Sequence, residues 1–222
     1  MMLINRAIVL IGAIFITTLA VAQDPITKPH VTPPIPVEIF LGNNRIASEF
    51  KIGKKINNSR FGLMAMSSFA ADYKNEKSEN ESMNMILINY EILKCLGITS
   101  GAALNSNWGF RPYSGLQYRY AYHNFSAMTL PGFYLTESHN FEVIRLFEYK
   151  PKLTNNYSMY YRLKGLLNVD MNTKKHDRSC IYVRLGISYK KYCFGFGVNY
   201  DWYGPLKIYK ENYGLFTSID LK

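Results

Sequence analysis

Hydrophobic and polar residues alternate with a period of two along most of the chain after residue 36. Folding 179–202 at Lys190-Lys191 gives one wholly apolar face, formed by the pairs Ile187–Phe194, Leu185–Phe196, Val183–Val198 and Ile181–Tyr200. The opposite face is polar and rich in glycine, with the pairs Ser188–Cys193, Gly186–Gly195, Arg184–Gly197 and Tyr182–Asn199. Because side chains alternate between the two faces of a strand, a slip of one residue would destroy this pattern. The segment therefore predicts an antiparallel hairpin.

Three further hairpins are predicted by the same alternation. The hairpin over 83–107 pairs Ile88 with Ala102, and the hairpin over 45–73 pairs Phe50 with Leu63. The hairpin over 111–134 carries Tyr118, Tyr120 and Tyr122 on one face. In all, twelve strands are predicted, near 37–42, 45–55, 60–73, 83–93, 97–107, 111–122, 125–134, 141–149, 157–169, 179–189, 192–202 and 213–221.

The predicted strands are too long for an ordinary soluble sheet. Most contain nine to thirteen residues, whereas soluble strands average about five or six and strands that cross a bilayer need about nine to eleven. No segment after the N-terminal region has eighteen consecutive apolar residues, so spanning helices are not expected. The predicted fold class is all-β, a transmembrane antiparallel up-and-down β-barrel of about twelve strands, with ten as the alternative.

The connectors predict how the barrel lies in the membrane. Those at 56–59, 94–96, 123–124, 150–156 and 190–191 are mostly tight, and those at 74–82, 135–140, 170–178 and 203–212 are mostly longer and polar. Short periplasmic turns and longer extracellular loops alternate in this way in outer-membrane barrels. An even strand number puts both termini in the periplasm, and the short strand at 37–42 supplies the twelfth strand.

The N-terminal region is predicted to direct export. Arg6 precedes an uncharged apolar run that ends Ala20-Val21-Ala22, which predicts a signal peptide over 1–22, cleaved after Ala22. Five prolines in 23–36 predict an extended periplasmic linker, and the barrel domain follows over 37–222. The whole chain has a formal net charge of +10, and cleavage would remove one charged residue, Arg6. Export argues against a nucleic-acid partner despite this basic charge.

These features together resemble the small outer-membrane β-barrel proteins of gram-negative bacteria. The resemblance covers 37–222 and implies the outer-membrane lipids and the barrel-assembly machinery as partners. Such barrels often end on an aromatic residue that the assembly machinery recognises. This chain instead ends Ile219-Asp220-Leu221-Lys222, with the alternation preserved. The oligomeric state is left open.

Charged residues on the polar face of the strands form the predicted functional site. Six acidic and five basic side chains are expected to point into the lumen: Glu49, Asp72, Glu91, Glu142, Glu148, Asp201, Lys51, Arg119, Arg162, Lys164 and Arg184. Glu142 is expected opposite Lys164. A ring of one sign would indicate an ion-selective pore, whereas near balance favours paired charges that narrow the lumen. The register puts Arg145 on the lipid side beside Val143 and Phe147, so either that strand carries a bulge or Arg145 lies near an interface that its side chain can reach.

Residues with catalytic or metal-binding chemistry are sparse. Lipases and deacylases among membrane barrels place His and Ser at i and i+2 on one strand, and none of His30, His123, His139 and His176 has this spacing. Glu137-Ser138-His139 and His176-Asp177 fall in predicted outer loops, which keeps a hydrolase geometrically open. Cys95, Cys180 and Cys193 lack metal-ligand spacing and are expected as free thiols, so no metal or cofactor is predicted.

The sequence thus favours a non-enzymatic outer-membrane barrel, either a narrow passive pore or a structural or surface-interaction protein. Two alternatives remain at this point. One is a barrel enzyme acting on lipid or peptide at the outer face. The other is a secreted soluble barrel that binds a small apolar ligand, which requires apolar residues inside and polar residues outside.

Overall fold

A computed structural model describes residues 34–57, 59–74 and 76–221. The predicted signal peptide and nearly all of the linker lie outside the described residues. Described residues form twelve strands: β1 Ile35–Gly42, β2 Arg45–Lys55, β3 Phe61–Asp72, β4 Glu81–Leu93, β5 Leu96–Asn105, β6 Gly109–Tyr122, β7 Phe125–Tyr134, β8 Phe141–Tyr149, β9 Tyr157–Val169, β10 His176–Tyr189, β11 Tyr192–Tyr203 and β12 Ile208–Leu221. A short 3-10 helix, Lys77–Glu79, lies between β3 and β4.

Every strand pairs antiparallel with its neighbours in sequence, and β1 closes the barrel against β12. The twelve-strand prediction is confirmed and the ten-strand alternative is wrong. Ile35 pairs with Leu221, so both ends of the described barrel lie at one edge. By the parity argument this edge is called the periplasmic end, and the opposite edge the outer end. None of the helices in the described ranges is long and apolar enough to cross a membrane.

The outer wall of the barrel is apolar on all sides. Each strand carries at least one exposed large apolar or aromatic residue, for example Ile39, Phe50, Leu63, Ile86, Ile98, Leu116, Phe133, Tyr149, Leu163, Leu185, Phe196 and Leu215. Phe196 is 71% exposed and Ile86 is 61% exposed. A continuous apolar belt of this kind is unfavourable in water and suits the hydrocarbon core of a membrane. The soluble-barrel alternative is therefore wrong.

The predicted 179–202 hairpin is confirmed pair by pair, from Ser188 opposite Cys193 to Ile181 opposite Tyr200. Two other predicted registers are wrong by an even number of residues. Phe50 lies opposite Ser67 instead of Leu63. In the β4–β5 hairpin the shift is two, because Leu93 pairs with Leu96 across a shorter turn and the ladder is irregular between Glu91 and Leu93. An even shift leaves every side chain on its predicted face.

Two strands extend further toward the outer end than predicted. β10 begins at His176 and β12 begins at Ile208, so the predicted loops 170–178 and 203–212 shorten to 170–175 and 204–207. Arg145 lies on the outer wall, opposite Thr129 in β7 and Gly165 in β9. This agrees with the predicted lipid-side register. The pairing of β8 is continuous with both neighbours, so the first alternative, a bulge around Arg145, is wrong.

Candidate functional site in the barrel lumen

Five charged side chains from four strands meet inside the barrel and form the central network: Glu38, Glu49, Arg162, Lys164 and Arg184. Glu38 Oε1 accepts hydrogen bonds from Arg162 Nη2 at 2.8 Å and from Arg184 Nε at 2.9 Å. Arg162 Nη2 also lies 3.3 Å from Glu49 Oε2, and Lys164 binds the same carboxylate. The network joins β1 and β2 to β9 and β10 across the lumen.

The Arg184 side chain is the most enclosed charge of this network, at 2% exposure. Its guanidinium lies 4.2 Å from the centre of the Phe40 ring, and Nη1 donates to Asn199 Oδ1 at 2.8 Å. Gly197 stands opposite Arg184 in β11, and a Cβ there would lie 2.8 Å from Arg184 Cδ. Glycine at this position therefore makes room for the arginine.

Two arginines and two carboxylates form a closed ring nearer the outer end, the outer network. Arg45 binds Glu81 at 2.9 Å and Asp201 at 2.8 Å. Arg178 binds the same two carboxylates at 3.2 and 3.1 Å. The charges of the ring cancel. Tyr203 OH donates to Glu81 at 2.6 Å, and this bond and the ion pairs link β2, β4, β10 and β11.

The expected pairing of Glu142 with Lys164 is wrong. Glu142 lies opposite Asn168, whereas Lys164 lies opposite Leu146. The first residues of β9 extend beyond β8, where Lys152 bridges to Ser158, and this moves the register by four residues. Glu142 instead accepts hydrogen bonds from Tyr134 OH at 2.8 Å and Asn168 Nδ2 at 2.9 Å.

The other side chains of the predicted lumen set are more widely spread. Glu91 forms an ion pair with Lys55 at 2.9 Å. Glu148 accepts from Tyr160 OH at 3.0 Å, and Lys51 lies within electrostatic reach of this carboxylate.

Arg119 and Asp72 also lie apart from both networks. The Arg119 guanidinium packs against Gly53, where a Cβ would lie 3.1 Å from Arg119 Nη1. Asp72 lies at the outer rim, where Oδ2 accepts from the Lys74 backbone N–H at 2.8 Å.

Four central members of the two networks were not in the predicted set: Glu38, Arg45, Glu81 and Arg178. Glu81 and Arg178 fall in the predicted loops 74–82 and 170–178, because the outer parts of β4 and β10 lack clear apolar alternation. Alternation alone places Glu38 on the lumen face, because it lies between the apolar residues Val37 and Ile39 in a short strand. Arg45 shares its face with Glu49 by the same period of two.

The opposite half of the lumen is filled by apolar side chains. Inward residues of β3 to β10 form one buried cluster that includes Met64, Met85, Leu87, Met128, Leu130, Ile144, Leu146 and Leu166. Two cavities of about 40 Å³ each lie beside the networks, one between the central and outer networks and the other between the central network and the apolar cluster. Each has room for a few water molecules. A vestibule of about 560 Å³ opens at the outer end, lined by residues such as Asn43, Tyr73, Lys74, Tyr209 and Lys210.

Reactive residue types do not gather in the lumen. His123 lies in a turn against Tyr122 and His139 lies in the 135–140 loop, while His30 is outside the described residues. Among the described residues there is no group of His, Cys, Asp and Glu that could hold a metal ion. Cys95, Cys180 and Cys193 are free thiols. Burial raises the pKa of the Cys95 thiol in the β4–β5 turn, which disfavours its reactive thiolate form.

Comparison with known proteins supports the fold. No protein-family model and no curated protein matches the sequence. The chain is similar to the solved structure of the NanC porin, with a TM-score of 0.50 and 12% identity, over 85% of this chain and 100% of that one. It also matches the KdgM porin, with a TM-score of 0.45 and 14% identity, over 85% and 99% of the two chains. A third match is OmpT, an outer membrane protein of Vibrio cholerae, with a TM-score of 0.39, 10% identity and coverages of 84% and 95%.

At these identities the comparison concerns the fold alone. The closed twelve-strand barrel and its apolar outer wall agree with it, and the protein is an outer-membrane β-barrel.

Proposed function

We propose that the barrel is a narrow passive pore whose lumen is closed at rest by the central and outer networks. The observation that carries this proposal is the occupancy of the lumen. Charged side chains cross it at two levels, apolar side chains fill the other half, and the two cavities beside the networks measure about 40 Å³ each. NanC, which shares the fold, is named a porin, and this is consistent with a pore.

The pairing of charges favours a closed pore over an open, ion-selective one. A lumen ring of one sign would draw counter-ions through the barrel. In the outer network two arginines face two carboxylates, so no net charge is offered to a passing ion. Separating these buried charges is costly, since each would lose its partner in a confined space. The barrel would therefore conduct only when the networks rearrange.

Conductance of refolded protein in a planar bilayer tests this proposal. The unmodified protein should show small or rare current steps, and sugars of graded size should not change them, because they cannot enter. Joint replacement of Glu38→Ala and Arg184→Ala removes two paired charges and widens the lumen, so the current should rise. Leu185→Ala, a neighbouring substitution on the lipid side, is the matched control and should leave it unchanged. Large steady currents from the unmodified protein would contradict the closed lumen.

A further inference from the structure

The outer wall carries a histidine and a serine in direct hydrogen-bond contact. His176 Nε2 lies 2.9 Å from Ser179 Oγ, and His176 Nδ1 lies 2.8 Å from the carbonyl oxygen of Gly204. A carbonyl oxygen can only accept, so Nδ1 carries the proton of the neutral ring. Nε2 is then left with a lone pair, and the Ser179 hydroxyl donates to it. A serine held by an oriented imidazole base is the arrangement that activates serine as a nucleophile.

An irregularity in β10 brings the two residues to the same side of the sheet. His176 pairs with Val169 and Arg178 pairs with Asn168, so Asp177 is an extra residue in the ladder. Residues three apart on a regular strand point to opposite faces. Ser179 pairs with Leu167 in β9 and points outward. Because Asp177 is extra, His176 points to this same outward face. The sequence His-x-x-Ser therefore acts in space like the i, i+2 pair expected of a strand.

The turn after β11 holds this geometry in place. The Gly204 N–H donates to the Asp177 carbonyl at 2.7 Å, which ties the extra residue to the turn. Gly204 has a φ of 65°, a left-handed conformation that glycine adopts without strain. From this turn the Gly204 carbonyl accepts a hydrogen bond from His176 Nδ1, which fixes both the tautomer and the orientation of the ring. Gly204 is thus a positioning residue for the base.

Aromatic residues mark the depth of the pair in the membrane. Ser179 lies directly opposite Trp202 in β11. Trp202 packs against Tyr200 and Tyr209, with ring centres 6.3 and 5.7 Å away. Tryptophan and tyrosine collect at the level of the lipid head groups, which is where the ester bonds of a lipid lie. Apolar Leu167 and Ile181 extend the surface around Ser179 toward the hydrocarbon, where an acyl chain would pack.

We infer that Ser179 and His176 form a nucleophile–base pair that cleaves acyl esters of lipids in the outer leaflet. Ser179 Oγ attacks the ester carbonyl carbon while its proton passes to His176 Nε2. The bond from carbon to the alcohol oxygen breaks, and His176 returns the proton to the departing alcohol. Water, deprotonated by the same nitrogen, then attacks the acyl carbon; the bond to Ser179 Oγ breaks, His176 returns the proton to Oγ, and a fatty acid is released. The site lies on the outer wall, so this inference goes beyond the pore proposed for the lumen.

Covalent labelling of the refolded barrel in detergent micelles tests the nucleophile. An alkyl fluorophosphonate should label the protein once, and mass spectrometry should locate the adduct on Ser179. Ser179→Ala should abolish the labelling and His176→Gln should slow it strongly. Ser138→Ala, which changes a serine beside His139 in the 135–140 loop, is the matched control and should label normally. A folded barrel that is not labelled, or is labelled elsewhere, would overturn the inference.

Hydrolysis provides the second measurement. Release of fatty acid from phospholipid vesicles or from an acyl nitrophenyl ester should fall with His176→Gln by about 10²–10⁴-fold, the usual contribution of a general base. Faster gel migration of unheated samples shows that each variant has folded. Conductance is measured on the same preparations, and neither result depends on the other. Equal hydrolysis by the unmodified protein and Ser179→Ala would reject the pair even if the lumen proves closed.

Discussion

Two neighbouring residues of β10 show how one strand serves two environments. Leu185 faces lipid at 52% exposure, and Arg184 faces the lumen with Glu38 as its partner. Leu185→Arg places a charge in hydrocarbon and should cost about 2–4 kcal/mol. Arg184→Met keeps the volume but removes one partner from a buried network, and should cost about 3–5 kcal/mol. Urea unfolding of protein refolded in vesicles measures both.

A second substitution separates the two causes. Glu38→Gln, alone and combined with Arg184→Met, completes a double-mutant cycle. Glu38 interacts directly with Arg184 as well as with Arg162, so the double change should cost less than the sum of the two single changes. The cost of Glu38→Gln should simply add to that of Leu185→Arg. Additive costs for Glu38→Gln and Arg184→Met would show that the network does not hold Arg184 by charge.

The carboxylate of Asp170 stabilises an outer turn between β9 and β10. Its Oδ1 accepts the backbone N–H groups of Asn172 and Thr173, each at 2.9 Å. These bonds, first of all the one from Thr173, lower the pKa of Asp170 below its ordinary value. The turn is therefore stabilised by the charged form at pH values above the pKa of the unfolded chain. This stabilisation disappears as the pH falls through the lower, folded pKa.

An NMR titration of the Asp170 carboxyl carbon checks this shift. The midpoint in the folded barrel should lie below the midpoint in urea-unfolded protein. Equal midpoints would show that the turn does not hold the carboxylate. Asp170→Asn keeps an acceptor without the charge and should remove the pH dependence of the turn.

At the scale of a single element, the extra residue in β10 sets the spacing of the pair. Deletion of Asp177 should restore a regular ladder and place His176 two residues before Ser179, on the same outward face. Labelling of Ser179 by a fluorophosphonate should then persist, while the unheated protein still migrates as a folded barrel. Insertion of one alanine between Asp177 and Arg178 instead moves His176 away from Ser179 and should abolish labelling. Undiminished labelling after this insertion would show that the spacing of His176 and Ser179 has no role in the reaction.

At the scale of the whole molecule, closure of the sheet should make the barrel resistant to detergent. Every strand has two hydrogen-bonded neighbours, so no edge offers a starting point for unfolding. The mature protein is expected to begin at Gln23, to fractionate with outer membranes and to migrate faster unheated than boiled. N-terminal sequencing, fractionation and gel mobility measure these three properties. A soluble periplasmic product without a heat shift would contradict the barrel in the membrane.

Lys164 gives a prediction for the lumen as a whole. It binds Glu49, which Arg162 also approaches. Lys164→Ala leaves that carboxylate with one cationic partner fewer, so the ion preference of any residual current should shift toward cations. Reversal potentials in a salt gradient measure the preference. Lys190→Ala, in the β10–β11 turn, removes a charge outside both networks and should leave the preference unchanged.

The sequence by itself determined the fold class, the strand number and the direction of most side chains. A period of two is a local property, and the apolar face of each strand must meet lipid whatever its partner. For this reason the side chains kept their predicted faces although two registers are shifted by two or four residues, as where Phe50 pairs with Ser67.

Only the tertiary structure decided which charges meet. Glu49 and Lys164 are far apart in sequence, and their contact depends on how the closed sheet brings β2 opposite β9. Likewise the pair His176 and Ser179 depends on one extra residue in β10 and on a carbonyl from the next turn. Alternation constrains each strand separately, whereas register, irregularities and closure arise from all strands at once. The lumen networks and the outer-wall pair therefore became visible only in the folded barrel.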